Sequence, residues 1–266
     1  MFSLLFGLAC AAEPVTVPPP AVPEPPTVPL PEPPAPRLTD SVEVIPRAAW
    51  GARPAREGLL PHIIKRITVH HSATLAPDAA SAPARIRSYQ AYHQSKGFPD
   101  IAYHLVIDRD GNVYEGRSME FAGSTFTNYD PAGHFLPLLD GNFEKQEPSE
   151  AQLTGLVRVL AWASQKWHIP PETIGAHRDF AATLCPGKTI FELVRTGKIA
   201  LRVAELNATT DVSLMLLDEA SGRSRLPAKA APAEAAPAEA APAEAAPAEA
   251  APAEAAPAEA VHPAAP

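Results

Sequence analysis

The sequence predicts a single α/β domain with a central mixed β-sheet flanked by helices, and three observations support this prediction. Short apolar runs rich in β-branched residues alternate along the chain with segments of helical periodicity. A glycine-bearing turn joins two of these runs. Low-complexity segments at both ends leave about 160 to 185 residues to fold, which is enough for one well-buried domain.

The first predicted elements are a strand and a helix. Residues 63–70 are apolar and rich in β-branched side chains, as is typical of a buried strand. Residues 83–96 carry Ile86, Tyr89 and His93 at mixed helical spacing, and Gly97 follows as a C-cap would. The α/β alternation begins with this pair.

A hairpin is predicted after the helix. Residues 101–107 form its first strand and residues 113–115 its returning partner. Residues 108–112 form the turn, in which Gly111 supplies a positive φ.

A long helix and a short strand complete the predicted core. The capping-box pattern of residues 149–152 opens a helix that runs to about Trp167, where two prolines at 170 and 171 stop it. Residues 173–177 form a short strand leading into a loop with one histidine and one cysteine.

The segment after this core is harder to interpret. Residues 199–218 hold two apolar blocks, 199–206 and 212–217, divided by a polar stretch. A small hairpin packed on the domain and a terminal extension both fit this pattern. We predict a small β extension over residues 199–226 and assign it no function.

Both ends of the chain are predicted to be disordered linkers. Residues 13–40 are mostly Pro, Val, Ala and Glu, and residues 227–266 repeat the unit Ala-Pro-Ala-Glu-Ala. Regular prolines remove amide donors, and no large apolar residue is present in the repeat to form a core. A poorly formed helix in the Ala-rich tail is the alternative, although each interior proline costs a helix about 3 kcal/mol.

The net charge of −8 belongs to these two ends. The tail from Pro227 carries −5 and the first 41 residues carry −3, so the residues between them are neutral overall. The folded part therefore lacks the basic excess of a nucleic-acid-binding protein.

The first 12 residues form an apolar run that ends in small residues, which resembles a secretory signal and is too short to span a bilayer. We expect export to the periplasm or beyond. Residues 9–11 fit a cleavage signal, and Cys10 is alternatively a lipidated cysteine. A misassigned start codon is the competing interpretation, because the usual positive residues are missing.

A metal site is predicted from the loop that holds His177 and Cys185, eight residues apart. A thiolate and an imidazole favour zinc over magnesium or calcium. A further ligand is available where the strand of residues 63–70 ends in the pair His70 and His71. Three protein ligands and one open position are typical of catalytic zinc.

Several motifs in order resemble the zinc N-acetylmuramoyl-L-alanine amidases, a superfamily that includes phage lysozyme-type amidases and animal peptidoglycan recognition proteins. The resemblance spans residues 45–194. It is carried by residues 45–53, 69–72, 92–107 and 111–117, and by His177 with residues 183–186.

The resemblance implies a role for each matching residue. His70, His177 and Cys185 match the zinc ligands. Tyr103, in the Ala-Tyr-His-Leu motif, would orient the attacking water or stabilise the oxyanion, and Thr183 would steady the tetrahedral intermediate. The zinc amidase domain is placed at residues 41–198.

The remaining histidines are given local or structural roles. His71 follows His70 and His104 follows Tyr103, so on a strand each side chain points away from its predicted site neighbour. Both are expected to pack in the core or to support a site residue. His93 is expected to hydrogen-bond locally, and His62, His168 and His262 show no supporting pattern. Residues 130–143 depart from the pattern of the family, because a proline there is expected to interrupt a central strand. His134, in the same segment, either reaches the cleft or caps a turn.

The expected function is zinc-dependent hydrolysis of the amide between N-acetylmuramic acid and L-alanine by a monomer acting on peptidoglycan or muropeptides. The alternative is a non-catalytic peptidoglycan-binding module on the same fold. A second alternative is a structural cell-wall protein in which the repeat tail is the functional segment.

Overall fold

Residues 36–227 are described by the computed structural model, and they form one sheet with helices packed against it. The strands are β1 (Leu38–Ile45), β2 (Arg66–His71), β3 (Leu105–Ile107), β4 (Val113–Glu115), β5 (His134–Phe135), β6 (Pro137–Leu139), β7 (Gly175–Ala176) and β8 (Thr210–Leu216). The helices are α1 (Arg47–Trp50), α2 (Ala82–Ser95), α3 (Glu150–Trp167), α4 (Lys188–Arg195), α5 (Lys198–Thr209) and α6 (Glu219–Arg225).

The sheet is mixed, as predicted. Its strand order is β5-β2-β6-β3-β4-β1-β8, and β7 pairs separately with β2. The hairpin of β3 and β4 is antiparallel, whereas the pairings on either side of it are parallel. The predicted α/β fold class is therefore confirmed.

Helices cover both faces of the sheet. Side chains alternate along β3, so Leu105 and Ile107 join one buried cluster and Val106 joins the other. The first cluster includes Leu156 and Leu160 of α3, and the second includes Trp50 of α1 and Ile86 of α2. Two apolar layers therefore hold the short central strands in place.

The predicted hairpin and long helix are confirmed. Gly111 has a φ of +82° in the turn between β3 and β4. Ser149 caps α3 by accepting a hydrogen bond from the backbone N–H of Gln152 at 3.0 Å. The Gln152 side chain, however, donates to the carbonyl oxygens of Ile107 and Asp140 at 3.0 Å each, so it joins the helix to the sheet.

Two strands are shorter than predicted. The first hairpin strand covers only Leu105–Ile107, because the carbonyl of Ile101 accepts a hydrogen bond from the buried Arg117 guanidinium at 2.8 Å instead of a strand partner. The strand predicted at residues 173–177 is limited to β7, because residues 171–173 and 177–179 form 3₁₀ turns.

The prediction of a β extension at residues 199–226 is wrong for most of that segment, which contains α5, β8 and α6. In the first apolar block, Ile199 and Val203 are four residues apart and buried in the core, whereas Leu201 is 60% exposed, which is a helical pattern. The second block forms β8, which pairs in parallel with β1 from Leu38 onward. Residues 38–40, predicted as linker, are thus part of β1.

Several predictions fall outside the described residues. They concern the signal segment at residues 1–12 with Cys10, most of the linker at 13–40, and all but the first residue of the repeat tail, with His262. Among residues 36–227, none of the helices combines the length and the apolar character needed to cross a membrane.

Candidate metal centre

The three predicted metal ligands meet at the ends of neighbouring strands. Val69 of β2 lies opposite Ala176 of β7 in parallel register, so the next residues, His70 and His177, emerge side by side. Their ring centroids are 4.6 Å apart. Potential ligand atoms of His70, His177 and Cys185 all lie within 4.8 Å of one another, and all three residues are buried.

The loop that carries Cys185 folds back onto the turn that follows β7. The backbone N–H of Arg178 donates to the Cys185 carbonyl at 3.1 Å. The Arg178 guanidinium donates to the carbonyls of Thr183 and Leu184 at 3.1 and 2.6 Å. Because Arg178 directly follows His177, these bonds set the distance between the histidine and the cysteine.

The donor set fits a zinc ion. Two imidazoles and a thiol are the borderline and soft donors that zinc prefers. The Sγ atom of Cys185 lies 3.5 Å from Nδ1 of His70. A tetrahedral zinc ion at ordinary bond lengths would separate these two atoms by about 3.6 Å. The backbone N–H of His71 also donates to Sγ at 3.4 Å, which favours a thiolate.

The electrostatics keep the neighbouring imidazoles neutral. Burial, followed by the proximity of His177, holds the pKa of His70 well below its ordinary value. Burial, with the positive charge of Arg178, lowers the pKa of His71 to about 3. Neutral imidazole is the protonation state that can give a lone pair to a metal ion.

Tyr103 lies beside the three predicted ligands. Its ring centroid is 5.3 Å from that of His70, and it lines the same cleft. The backbone N–H of Arg117 donates to the Tyr103 carbonyl at 2.8 Å. A Cβ atom on Gly116 would come within 2.3 Å of that carbonyl oxygen, so glycine is required for this close approach.

Thr183 is also at the cleft, within the loop that carries the cysteine. Its Oγ1 atom accepts a hydrogen bond from the Cys185 backbone N–H at 3.1 Å. This bond fixes the hydroxyl next to the cysteine, and its own proton can be donated into the cleft.

The cleft beside the predicted metal ligands has a volume of about 350 Å³. One wall is aromatic, formed by Tyr92, Phe98 and Phe126, with the rings of Phe98 and Phe126 stacked at 4.4 Å. Phe126 is 46% exposed, so a bound molecule can contact its face. Tyr92 and Phe98 lie in the motif of residues 92–107, whereas Phe126 comes from a separate segment that had no signal in the sequence.

His71, His93 and His104 have the packing or local roles expected of them. Nδ1 of His71 accepts from the Phe143 backbone N–H at 3.3 Å, and Nδ1 of His93 accepts from Ala102 at 3.2 Å. His104 is fully buried between the Leu136 backbone N–H and the Phe121 carbonyl, at 2.9 and 3.0 Å.

His134 is buried on β5, and its Nδ1 atom lies 2.8 Å from Oγ1 of Thr68. His134 is not one of the described residues that line the cleft. The expected strand interruption is present: Phe135 ends β5, Pro137 begins β6, and Leu136 lies between them.

His62 and His168 lie outside the ligand group. His62 bonds the Met119 carbonyl and the Gly133 N–H, at 3.1 and 3.0 Å, and His168 is the left-handed C-cap of α3.

Two contacts to the predicted metal ligands were not anticipated. Thr127 and Tyr129, in the segment between β4 and β5, place their hydroxyl oxygens 2.8 Å from Nε2 of His177 and 3.4 Å from Nε2 of His70. The segment has no periodicity or motif that would have indicated this.

The fold and the site together describe a protein with a mixed sheet and a buried group of two histidines and a cysteine at the ends of its strands. Residues 60–188 match the family model for N-acetylmuramoyl-L-alanine amidase. Peptidoglycan-recognition protein SC2 of Drosophila melanogaster is 32% identical over 159 residues, covering 58% of this chain and 86% of that protein. The chain therefore belongs to the family of N-acetylmuramoyl-L-alanine amidases and peptidoglycan recognition proteins.

A solved structure and a longer relative extend this comparison. The structure of peptidoglycan recognition protein-LE in complex with tracheal cytotoxin is similar with a TM-score of 0.53 and 29% identity, over 57% of this chain and 92% of that chain. The Homo sapiens N-acetylmuramoyl-L-alanine amidase is 34% identical over 159 residues, or 57% of this chain. The match spans only 27% of the human protein's length.

Proposed function

We propose that this protein is an exported, zinc-dependent amidase that hydrolyses the bond between N-acetylmuramic acid and L-alanine in peptidoglycan. The observation that carries the proposal is the buried group of His70, His177 and Cys185 at the edge of an open cleft. Membership of a family that contains N-acetylmuramoyl-L-alanine amidases supports it. The expected substrate is polymeric peptidoglycan or a muropeptide, and the expected active form is a monomer.

In this proposal His70, His177 and Cys185 hold the zinc ion. When bound, zinc supplies a Lewis acid and allows water to act as a nucleophile near neutral pH. The three protein ligands leave room for substrate, because the trio borders the cleft. The Arg178 bonds to the cysteine loop keep the thiol in reach of both histidines.

Tyr103 and Thr183 are the proposed catalytic residues. The Tyr103 phenol stands beside His70, where its proton can be donated to a developing oxyanion or its oxygen can orient the attacking water. The Thr183 hydroxyl, held by the Cys185 N–H, donates its proton to the same tetrahedral intermediate. Both groups act on the carbonyl from within the cleft.

The second candidate function is peptidoglycan binding without hydrolysis. It is favoured by the match over 86% of peptidoglycan-recognition protein SC2 and by the likeness to a recognition protein solved with monomeric diaminopimelic acid-type peptidoglycan. The aromatic wall of Tyr92, Phe98 and Phe126 suits binding of an extended glycopeptide in either case.

Zinc content and muropeptide cleavage, measured on the same preparation, separate the two candidates. The amidase proposal expects about one zinc per chain and release of peptides with a new L-alanine amino terminus. Cys185→Ala should lose both the zinc and the cleavage. His62→Gln is the matched control, because it removes a hydrogen-bonded histidine that lies outside the trio. Zinc binding and muropeptide binding without cleavage would leave only the recognition function.

A further inference from the structure

One segment of the chain contacts the outer nitrogens of both histidines. Residues 124–130, between β4 and β5, bring Thr127 Oγ1 to 2.8 Å from Nε2 of His177 and the Tyr129 hydroxyl to 3.4 Å from Nε2 of His70. We propose that Thr127 and Tyr129 are positioning residues that hold the imidazoles by Nε2, so that both present Nδ1 to the metal ion.

The arrangement of the inner nitrogens supports this assignment. Nδ1 of His70 is the nitrogen that lies 3.5 Å from Cys185 Sγ, whereas Tyr129 contacts the other ring nitrogen, Nε2. In His177 the ring nitrogen that Thr127 does not contact, Nδ1, is buried. The N–H at Nε2 and the lone pair at Nδ1 point in different directions, so a hydroxyl at Nε2 does not compete with an ion at Nδ1.

The hydroxyl at His177 belongs to a hydrogen-bonded chain with a defined direction. An imidazole that gives its Nδ1 lone pair to a metal carries its proton on Nε2 and must donate it. Thr127 Oγ1 can accept that proton and donate its own to Thr125 Oγ1, which lies 2.8 Å away. Thr125 Oγ1 also accepts the Thr127 backbone N–H at 3.1 Å, which fixes the position of the pair.

The chemical nature of the partner matters. Metal-binding histidines commonly donate to a carboxylate, which adds negative charge behind the ligand. A neutral hydroxyl fixes the ring and its tautomer without that charge. With one thiolate ligand, the zinc site would keep a net charge of +1, which favours its action as a Lewis acid.

The segment is anchored just before Thr127 and at Tyr129 itself. Phe126 stacks on Phe98 at 4.4 Å, before Thr127 in the chain. Tyr129 packs against His134 and Phe180, at 5.3 and 5.9 Å between ring centroids. These contacts hold the hydroxyls in place, as positioning residues require.

The inference rests on the proposed zinc function, and zinc affinity tests it by competition with a chelator. We expect Thr127→Val to weaken zinc binding by about 10 to 100-fold, Thr127→Ser to retain affinity, and Tyr129→Phe to cause a smaller loss. Thr196→Val is the control, because it removes a threonine hydroxyl that donates to the Glu192 carbonyl at 2.7 Å and contacts neither the trio nor Tyr129. It should leave zinc affinity unchanged.

The tautomers give an independent readout. Long-range ¹H–¹⁵N correlation spectra of the zinc-loaded protein should show both ligand histidines protonated on Nε2 and bound through Nδ1. Binding through Nε2 in the wild type, or equal zinc affinity in the wild type, Thr127→Val and Tyr129→Phe, would overturn the inference alone. A wild-type protein that binds no zinc would instead overturn the proposed function. Circular dichroism of each zinc-free variant establishes that it is folded.

Discussion

Tyr103 illustrates how a single residue can be placed by its backbone and act through its side chain. The Arg117 N–H and the absence of a Cβ on Gly116 fix its carbonyl, while its ring packs between His70 and His93 at 5.3 and 5.7 Å. The ring contacts survive loss of the hydroxyl, so the phenolic proton can be tested separately from packing.

We predict that Tyr103→Phe keeps zinc at the wild-type level and lowers kcat for muropeptide cleavage by about 100 to 1,000-fold. The reason is that the variant removes one donor to the oxyanion and no metal ligand. Metal analysis and single-substrate kinetics measure the two effects on one sample. Full turnover by the variant would remove Tyr103 from the mechanism.

Asp140 forms a buried ion pair next to the cleft. Its carboxylate is fully buried and accepts from the Arg85 guanidinium at 2.6 Å and from the Tyr89 hydroxyl at 2.6 Å. Desolvation is largely offset only while both partners are present. The Tyr89 hydroxyl also lies 3.2 Å from Ser72 Oγ, so the network reaches the end of β2.

We predict that Asp140→Asn lowers the free energy of unfolding by about 3 to 5 kcal/mol, because it leaves the Arg85 charge buried without its counter-ion. Denaturant unfolding measures the loss. Glu192→Gln breaks the exposed Arg195–Glu192 pair and should change stability by less than about 1 kcal/mol. Equal effects in the two variants would contradict the assigned role of burial.

At the scale of elements, α5 joins the C-terminal segment to the core. Ile199 and Val203 of this helix lie in the same buried cluster as Leu156 and Leu160 of α3. The helix leads directly into β8, which pairs with β1 along seven residues. Residues 198–216 therefore contribute to the main fold.

We predict that Ile199→Ala lowers the free energy of unfolding by about 2 to 5 kcal/mol, through lost burial and the cavity left behind. Leu201→Ala, two residues along the same helix, should cost less than about 0.5 kcal/mol, because the side chain is 60% exposed. Thermal or denaturant melts compare the two. Similar small losses would mean that α5 contributes little to the core.

Elements with local signals were predictable, whereas elements defined by distant contacts were not. The helix α3 has a cap at Ser149 and an apolar face, and both depend only on residues close together in the sequence. The apolar block at residues 199–206 is too short to separate helix from strand without knowing which residues face the core. Likewise His177 and Cys185 are neighbours in sequence, but Thr127 reaches His177 only through the folded chain.

For the whole molecule, buried neutral histidines make the folded state sensitive to acid. Burial lowers the pKa of His93 and of His104 to about 3, from an ordinary value of 6.5. Both rings accept a backbone N–H at Nδ1, from Ala102 and Leu136, so protonation there would break a buried hydrogen bond. The unfolded chain binds these protons first as the pH falls.

We therefore predict that metal-free protein has its full histidine-derived stability above pH 6.5 and loses it progressively down to pH 3, by about 1.4 kcal/mol per pH unit for each such group. His104→Gln should be less stable at pH 7 but show a shallower loss on acidification, because one of the groups no longer titrates. Denaturant unfolding at a series of pH values, with chelator present throughout, measures both slopes. If the variant lost stability with pH as steeply as the wild type, folding would not lower the pKa of His104.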